Sequence, residues 1–181
     1  MRFPLVDGDV AVRPWQDDDL RGLIEAIDDP EIFRWIDLIP QPYTEEEGRN
    51  WLAHSREARR NGTATNLAVL DATQRRILGG IGVNWSPERD VGEVGYWLRA
   101  DARGRGVATR ALVLVARWAL SLDGVERLQL RADVQNAASR RVAEKAGFRL
   151  EGVLRSAKWS PRQQRRYDWA MYSLLRGELA R

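Results

Sequence analysis

The sequence contains no cysteine and a single histidine, and these shortages exclude several kinds of chemistry. Without cysteine the chain has no disulfides, no thiolate metal ligands and no cysteine nucleophile. The one histidine, His54, cannot build a histidine-rich metal site, and no Gly-x-Ser-x-Gly turn accompanies it as a serine hydrolase would require. We therefore expect no metal site, and we interpret His54 as a surface or packing residue of a helix.

Long apolar runs are also missing from the chain. No stretch approaches the roughly 18 residues of a membrane-spanning helix, and residues 1–4 do not begin a secretory leader. Hydrophobic residues make up 44% of the chain and charged residues 30%, which is the balance of a globular protein. The length of 181 residues suits a single domain over residues 1–181. We expect a cytoplasmic protein that has no membrane partner.

Lysine is scarce, since the chain has 2 Lys against 27 Arg, and the charges are unevenly distributed. Residues 1–90 hold 11 basic and 17 acidic residues, a balance of −6, whereas residues 91–181 hold 18 basic and 9 acidic residues, a balance of +9. A basic half suits a polyanionic ligand such as a nucleotide, and an acidic half suits a cation. Chance placement of solvated charges is the alternative interpretation until a site is located.

The spacing of apolar residues predicts strands and helices in a mixed order. Helices are expected after Asp17 and after Thr44, which can cap them, and at 107–122 and 137–146. Because one helix joins two strands as a βαβ unit beside a meander, the pattern predicts an α/β (α+β) sheet that is not simply doubly wound. Strands are expected at 10–13, 66–70, 77–85, 93–98, 128–133, 148–154 and 167–174, and loops at 28–43 and at the Arg-rich segment 155–166.

The segment Arg103-Gly104-Arg105-Gly106-Val107-Ala108 lies where a predicted strand is followed by a helix. Unpaired backbone N–H groups and the helix dipole favour an anion at such a helix N-terminus. The two glycines let phosphate oxygens approach the backbone, and the two arginines add positive charge. The segment therefore predicts a pyrophosphate site, although a Gly-x-Gly turn between strand and helix is also a common structural feature.

Two familiar nucleotide motifs do not fit this segment. A dinucleotide-binding fingerprint needs a third glycine where the chain has Thr109, although Asp133 lies roughly where a ribose partner would be. A P-loop needs Gly-x-x-x-x-Gly-Lys-Ser/Thr, and the segment has neither that spacing nor a lysine. The segment therefore fits another kind of anion-binding loop better than it fits either of these two motifs.

The loop fits the pattern Arg/Gln-x-x-Gly-x-Gly/Ala as Arg103-x-x-Gly106-x-Ala108, and a second motif follows it. That motif comprises Asn136-Ala137-Ala138-Ser139, then Glu144-Lys145-Ala146-Gly147-Phe148 and Glu151-Gly152. In these motifs the chain resembles the GNAT superfamily of N-acetyltransferases, most strongly over residues 92–175. Residues 95–98 and 168–175 resemble the branch of ribosomal-protein-alanine acetyltransferases. The resemblance implies a mixed, mostly antiparallel sheet of about seven strands with a splayed pair, flanked by about four helices.

The resemblance also implies an acetyl-CoA-dependent enzyme, with residues 92–175 on the acetyl-CoA side and residues 1–91 on the acceptor side. In this family the amine attacks the thioester directly, and pantetheine lies between two strands, which here end at Leu98 and Asp133. A backbone N–H near Leu98 would hold the thioester oxygen. The cofactor contacts carried over are Trp97, Leu98, Arg103, Gly104, Arg105, Gly106, Val107, Ala108, Thr109, Asn136 and Ser139.

Three residues are candidates for proton chemistry under this resemblance. Many relatives donate a hydrogen bond to the leaving thiolate from a tyrosine, but Ala143 occupies that position here. The alanine branch uses a serine three residues after the asparagine, so Ser139 is expected to polarise the sulfur, unless it is only a helix-capping residue. Glu93, at the start of the strand that leads to the loop, is the first candidate for the base, and Asp168, which opens the last strand, is the second. At least one relative has a glutamate at the position of Lys158, and the lysine argues against a base there. Either acid could equally be an ion-pair partner.

The acceptor is expected to be an amine, either a protein N-terminus such as an N-terminal alanine or a small molecule such as a polyamine or aminoglycoside. Acidic residues surround Phe33, Trp35 and Tyr43, and aromatic faces favour cations, although these aromatics could equally belong to the core. A different class stays open, because the Arg-rich segment 155–166 has the basic and aromatic mixture of a nucleic-acid surface. The chain would in that case be an RNA-binding module. A third possibility is a module that binds acyl-CoA without catalysing its turnover. The two family motifs favour the acetyltransferase. They do not determine whether the protein is a monomer or a homodimer.

Overall fold

The computed structural model describes residues 2–73 and 75–179, and its centre is one eight-stranded sheet. The strands are β1 Leu5–Asp7, β2 Val10–Pro14, β3 Ala64–Asp71, β4 Ile77–Trp85, β5 Val91–Leu98, β6 Arg127–Asp133, β7 Arg149–Ser160 and β8 Arg165–Leu175. The helices are α1 Leu20–Ile27, α2 Pro30–Trp35, α3 Glu45–Asn61, α4 Val107–Leu120 and α5 Ala137–Lys145. The predicted mixed α/β fold is confirmed, with one strand and one helix more than expected.

The strands are ordered β1-β2-β3-β4-β5-β6-β8-β7 across the sheet, and β5 pairs with β6 in parallel. The other neighbouring pairs among the described residues are antiparallel. The additional strand is β1, which pairs Leu5 with Val12 in a hairpin whose turn contains Gly8 at φ +58°. Three residues are too few to show an alternating pattern, so only the pairing reveals this strand.

The parallel strands β5 and β6 diverge, and this divergence creates the site. The two strands are paired only from Val91 with Arg127 to Glu93 with Gln129. Beyond Glu93, β5 remains paired with β4 as far as Leu98, while β6 remains paired with β8. The sheet is therefore continuous at one end and open as a V at the other, which confirms the predicted splayed pair.

Helices cover both faces of the sheet around this V. Leu112 and Val115 of α4 belong to the main core, together with apolar residues of β5, β6 and β8. On the other face, Leu23 of α1 and Leu52 of α3 form a second cluster, against which Trp97 of β5 packs. Side chains alternate between the two faces along a strand, so β5 supplies residues to both clusters.

Two segments that were predicted as loops contain regular structure. Within residues 28–43, α2 begins after Asp29, whose side chain accepts a hydrogen bond from Glu31 N at 2.8 Å. A six-residue helix is less than two turns long and gives no readable periodicity. The Arg-rich segment 155–166 is mostly the hairpin of β7 and β8, which both extend further than predicted.

The helix caps agree with the sequence in two of three places. Thr44 Oγ1 accepts a hydrogen bond from Glu47 N at 3.2 Å, as its capping pattern predicts. Gly147 follows α5 with φ +91°, the left-handed conformation expected after a helix end. Asp17 does not cap α1, because a 3-10 turn over Asp17–Asp19 precedes that helix and Asp17 pairs instead with Arg56.

The described part of the chain contains no helix that is both long and apolar enough to cross a membrane. Within residues 2–73 and 75–179, no group of three or more His, Asp or Glu residues is arranged to hold a metal ion.

Candidate active site

A cleft of about 390 Å³ opens in the V between β5 and β6. It is bordered by α2, by the end of β5, by the first turn of α4 and by α5. Arg105 does not line it, because this side chain is exposed and directs Nη1 toward Asp101 O at 3.5 Å. Ten of the eleven cofactor-binding candidates line the cleft: Trp97, Leu98, Arg103, Gly104, Gly106, Val107, Ala108, Thr109, Asn136 and Ser139.

The N-terminus of α4 forms one wall of the cleft. Gly104 at φ +72° and Gly106 at φ +75° adopt the left-handed backbone that favours glycine, and a Cβ at either position would meet nothing within 4 Å. No side chain caps α4. The first-turn N–H groups, which have no partner within a helix, therefore adjoin a loop without side chains at two positions. This arrangement suits phosphate oxygens.

Arg103 fastens the loop in place. Its Nε and Nη2 donate to Leu98 O at 3.1 and 2.8 Å, and Nη2 also donates to Asp29 Oδ2 at 2.6 Å. Because Asp29 caps α2, this one guanidinium joins the end of β5, the glycine loop and α2. The sequence predicted only that the positive charge of Arg103 attracts the ligand. The structure shows that Arg103 also holds the loop in position through its hydrogen bonds.

The backbone of β5 presents N–H groups to the open V. Arg99 N donates to Leu78 O of β4 at 3.0 Å. Successive N–H groups of a strand point to opposite sides, so those of Leu98 and Tyr96 point toward β6, from which β5 has separated. The resemblance led us to expect one donor near Leu98, and Tyr96 provides a second.

Asn136 and Ser139 lie in the first turn of α5. Asn136 caps this helix, because its Oδ1 accepts a hydrogen bond from Ser139 N at 3.0 Å. Ser139 is therefore not the cap, and its hydroxyl lies in the cleft. Ser139 Oγ is 2.9 Å from Tyr96 Oη, which also donates to Ser139 O at 3.1 Å.

Tyr96 is a functional candidate that sequence reasoning missed. Burial raises the pKa of Tyr96 to about 12, with the Ser139 hydrogen bond acting in the opposite direction, so the phenol keeps its proton at neutral pH. In many relatives the tyrosine lies in the helix that corresponds to α5, where this chain has Ala143. Alternation along β5 was the available signal, because it turns Tyr96 and Leu98 to the same face of the sheet.

Two further cations of the cleft were also missed. Arg141 and Lys145 line it from α5, four residues apart and therefore on one side of the helix. Among the residues that line the cleft, Glu31 is the single carboxylate against three cations, with Arg103 as the third. The cleft therefore favours an anionic ligand, in agreement with the basic balance of residues 91–181.

Neither candidate base lines the cleft. Glu93 accepts hydrogen bonds from Arg131 Nε at 3.0 Å and from Gln129 Nε2 at 3.1 Å. Asp168 Oδ1 accepts from Ser156 N at 2.7 Å within the hairpin. Glu93 marks the last paired position of β5 and β6, at the closed end of the V.

The structure separates the three aromatic residues that were expected to contact the acceptor. Phe33 is buried beneath the guanidinium of Arg162, with 5.7 Å between Cζ and the ring centre. Trp35 lines the cleft and donates from Nε1 to Glu31 Oε1 at 2.7 Å. Tyr43 lines a second cavity of about 590 Å³ next to β4 and β5.

Four of the five cations of the Arg-rich segment are engaged within the protein, whereas Arg155 is exposed. Cations that are held by internal partners are poorly placed to contact a nucleic-acid backbone, which disfavours the RNA-binding alternative. Lys158 pairs with Asp37, Arg162 donates to backbone carbonyls of residues 33, 36 and 39, Arg165 pairs with Asp133, and Arg166 donates to Ser156 O.

Comparison with known proteins places this geometry in a family. Residues 9–149 match the acetyltransferase (GNAT) domain. The uncharacterized N-acetyltransferase p20 of Bacillus licheniformis is 23% identical over 181 residues, which cover 99% of this chain and 93% of that protein. The ribosomal-protein-serine acetyltransferase of Escherichia coli (strain K12) is 35% identical over 74 residues, which cover 40% of this chain and 41% of that protein.

The fold is shared with solved structures as well. A ribosomal L7/L12 alpha-N-protein acetyltransferase, crystallised with coenzyme A, superposes with a TM-score of 0.84 at 21% identity, covering 94% of this chain and 96% of that one. The family match over residues 9–149 includes the glycine loop, both strands of the V and the start of α5. The chain therefore belongs to the GNAT acetyltransferase family and is an acyltransferase.

Proposed function

We propose that the protein is a cytoplasmic N-acetyltransferase that moves the acetyl group of acetyl-CoA directly to a primary amine. The observation that carries the proposal is the cleft in the V between β5 and β6. There an uncapped helix N-terminus, a loop with glycine at two positions and three cations adjoin the N–H groups of β5. In the transfer, the amine nitrogen forms a bond to the thioester carbon and the C–S bond breaks, releasing a thiol.

The residues of the V supply donors at both ends of this bond change. The N–H groups of Leu98 and Tyr96 stabilise the carbonyl oxygen as it gains negative charge, an effect worth about 10²–10³ in rate where one such donor is removed. Ser139 donates to the leaving sulfur. The one phenol proton of Tyr96 can turn from Ser139 O to Ser139 Oγ, and the serine proton is then able to turn toward sulfur, because a hydroxyl has one donor and two acceptor positions.

The amine must lose its proton, and we propose Glu93 as the group that receives it through water. Glu93 lies two residues before Gly95 on the same face of β5, about 7 Å along the strand. Its carboxylate is positioned by Arg131 and Gln129. Asp168 is the second candidate.

Two classes of acceptor fit this reaction. The similar proteins include a ribosomal L7/L12 alpha-N-protein acetyltransferase and a ribosomal-protein-S5-alanine acetyltransferase, which favour a protein N-terminus, such as an N-terminal alanine, as the acceptor. The acidic balance of residues 1–90 is equally compatible with a small cationic amine such as a polyamine or aminoglycoside.

Thermal unfolding tests the cofactor part of the proposal. At about 100 times its dissociation constant, acetyl-CoA should stabilise the fold by about 2.7 kcal/mol. That corresponds to a rise of about 5–10 °C in Tm for a chain of this size. An RNA oligomer at the same phosphate concentration should leave Tm unchanged, and the opposite pattern would favour the nucleic-acid alternative.

Thiol release tests whether the protein turns acetyl-CoA over. With a panel of amines, wild type should release coenzyme A faster than the Ser139→Ala variant by about 10²-fold, the lower range for a proton-transfer group. Equal rates would remove Ser139 from the mechanism. Acetyl-CoA binding without amine-dependent thiol release would instead indicate a binding module.

A further inference from the structure

The second cavity lies on the face of β4 and β5 opposite α4. We call it the aromatic chamber, because Trp15, Tyr43, Trp51 and Trp97 line it. Trp15 packs edge to face on Trp51 with 5.3 Å between ring centres, and it stacks on Trp97 at 6.4 Å. The chamber volume of about 590 Å³ is within the range of small-molecule sites.

Three glycines contribute to the floor of the aromatic chamber, and two of them are covered, because the Trp97 side chain lies over Gly80 and the Asn66 side chain lies over Gly82. Gly80, Gly82 and Gly95 line it, and Gly82 pairs with Gly95 across β4 and β5. A Cβ at Gly80 would lie 2.7 Å from Trp97 Nε1, so the indole lies directly over this glycine. A Cβ at Gly95 would meet nothing within 4 Å. A ligand can therefore reach the backbone of β5 at Gly95.

The charge of the aromatic chamber is opposite to that of the cleft in the V between β5 and β6, which we call the cofactor cleft. Among the described residues that line the aromatic chamber, Glu47 is the one carboxylate, and there is no Arg or Lys. His54 lines the chamber as well. Such a site does not favour the phosphates of coenzyme A. It suits a cationic or neutral ligand, because a carboxylate and aromatic faces both attract an ammonium group.

Two buried polar atoms of the wall residues have no hydrogen-bond partner. These atoms are Trp15 Nε1 and Tyr43 Oη. A buried polar group without a partner destabilises the fold, because it has lost its hydrogen bonds to water. A polar atom of a bound ligand would relieve part of that cost after a small side-chain adjustment.

The aromatic chamber and the cofactor cleft meet at the V. Trp97 and Ile36 line both cavities. Gly95, at the floor of the chamber, immediately precedes Tyr96, whose N–H points into the V. A molecule in the chamber can therefore direct one end toward the thioester while its body stays among the tryptophans.

We propose that the aromatic chamber binds the acceptor and that this acceptor is a small primary amine with an aromatic or compact apolar body. The proposal rests on the acetyltransfer proposed above. The enclosing tryptophans, the single carboxylate and the open floor at Gly95 fit such a molecule better than the terminus of a folded protein. Segment 33–39, one wall of the chamber, is fastened to the β7–β8 hairpin by Arg162.

A Gly95→Val variant tests this assignment with three acceptors: phenethylamine, spermidine and a heptapeptide with N-terminal alanine. Valine suits a strand, and its side chain would occupy the chamber on the face away from the cofactor cleft. We expect wild type to acetylate phenethylamine with the highest kcat/KM of the three. Gly95→Val should reduce that value at least 10-fold while the acetyl-CoA dissociation constant changes less than 2-fold.

Gly152→Val is the matched control, because a Cβ at Gly152 also meets nothing within 4 Å and this residue lies on β7 outside both cavities. It should leave kcat/KM unchanged. Should Gly95→Val not fold, Glu47→Gln should raise the KM for phenethylamine, and titration of wild type should show phenethylamine quenching tryptophan fluorescence.

Preference for the peptide or for spermidine, or an unchanged kcat/KM in Gly95→Val, would overturn the acceptor assignment and leave the acetyltransferase intact. If wild type neither binds acetyl-CoA nor releases thiol with any of the amines, the proposed function itself would be overturned.

Discussion

At the scale of single residues, the central feature is the hydroxyl pair of Tyr96 and Ser139. Ser139 follows from the motif Asn-x-x-Ser, but Tyr96 reaches α5 from a strand 43 residues earlier in the chain. Burial keeps the phenol protonated, since it raises the pKa of Tyr96 to about 12. The serine is therefore supported by a donor that the motif does not contain.

Replacing either hydroxyl should slow the reaction without weakening cofactor binding. We expect Ser139→Ala to lower kcat about 10²-fold and Tyr96→Phe to lower it less, because the phenol acts through the serine. The double variant should be little slower than Ser139→Ala alone, since groups that act as a unit are not additive. Steady-state kinetics and acetyl-CoA titration of the four proteins measure both effects.

Tyr167→Phe is the control for this series. Tyr167 is also buried, but its hydroxyl has no partner and it lines neither cavity. Its removal should leave kcat unchanged. Additive losses in the double variant would show that Tyr96 and Ser139 act separately.

At the scale of secondary-structure elements, the loop before α4 combines a backbone requirement with a binding role. Gly106 precedes the helix at φ +75°, and no side chain occupies the space beside it. A side chain there would both strain the backbone and fill the approach to the first-turn N–H groups. These two effects can be separated by comparison with another glycine.

Gly106→Ala should lose stability and acetyl-CoA affinity together. A left-handed residue other than glycine costs about 1–2 kcal/mol, which lowers Tm by about 2–8 °C for a chain of this size. We expect the acetyl-CoA dissociation constant, measured by calorimetry, to rise at least 10-fold.

Gly124→Ala provides the matched control, because Gly124 has φ +82° and equal free space but lies in the turn after α4. It should lose similar stability and bind acetyl-CoA normally. A similar loss of affinity in both variants would mean that the effect comes from general destabilisation.

At the scale of the whole molecule, the two faces of the sheet carry different chemistry. The cofactor cleft is basic and the aromatic chamber holds one carboxylate, and both meet at the strand β5. Ion pairs also tie the far edge of the sheet together. Glu151 of β7 accepts hydrogen bonds from Arg127 of β6 and from Ser173 of β8, so one carboxylate joins three strands.

This carboxylate should make global stability depend on pH. The hydrogen bond from Arg127, followed by that from Ser173, lowers the pKa of Glu151 to about 2 from its ordinary value of 4.5. Because the folded pKa lies below the unfolded one, the stabilisation is complete above about pH 4.5 and is lost as the pH falls toward 2. Thermal unfolding of wild type and Glu151→Gln should show a gap in Tm at pH 7 that closes near pH 2.

Introducing Glu151→Gln into an Arg127→Gln variant isolates the contribution of the Arg127–Glu151 ion pair to stability. There Glu151→Gln should have a much smaller effect at pH 7, because the main partner is already absent. A gap in Tm that is constant between pH 7 and pH 2 would contradict the assignment.

Much of this protein could be predicted from the order of its residues. The mixed α/β sheet and the loop Arg103 to Ala108 follow from local patterns, because periodicity and glycine placement act over a few neighbouring residues. The splayed pair was expected only from the family resemblance. The single domain over residues 1–181 stays a prediction, as do the assigned roles of Glu93 and Asp168.

Only the tertiary structure decided which distant residues share a site. Sequence reasoning placed Phe33, Trp35 and Tyr43 together, yet Phe33 and Trp35 lie two positions apart on α2 and point to different sides of that helix, while Tyr43 lies beyond it. The three side chains therefore reach the core, the cleft and the chamber separately. Sequence reasoning also missed Tyr96 beside Ser139 and the glycine floor at Gly95. The order of residues determines the anion loop because that loop is local, whereas the acceptor site depends on packing between α1, α3, β4 and β5, which no local pattern encodes.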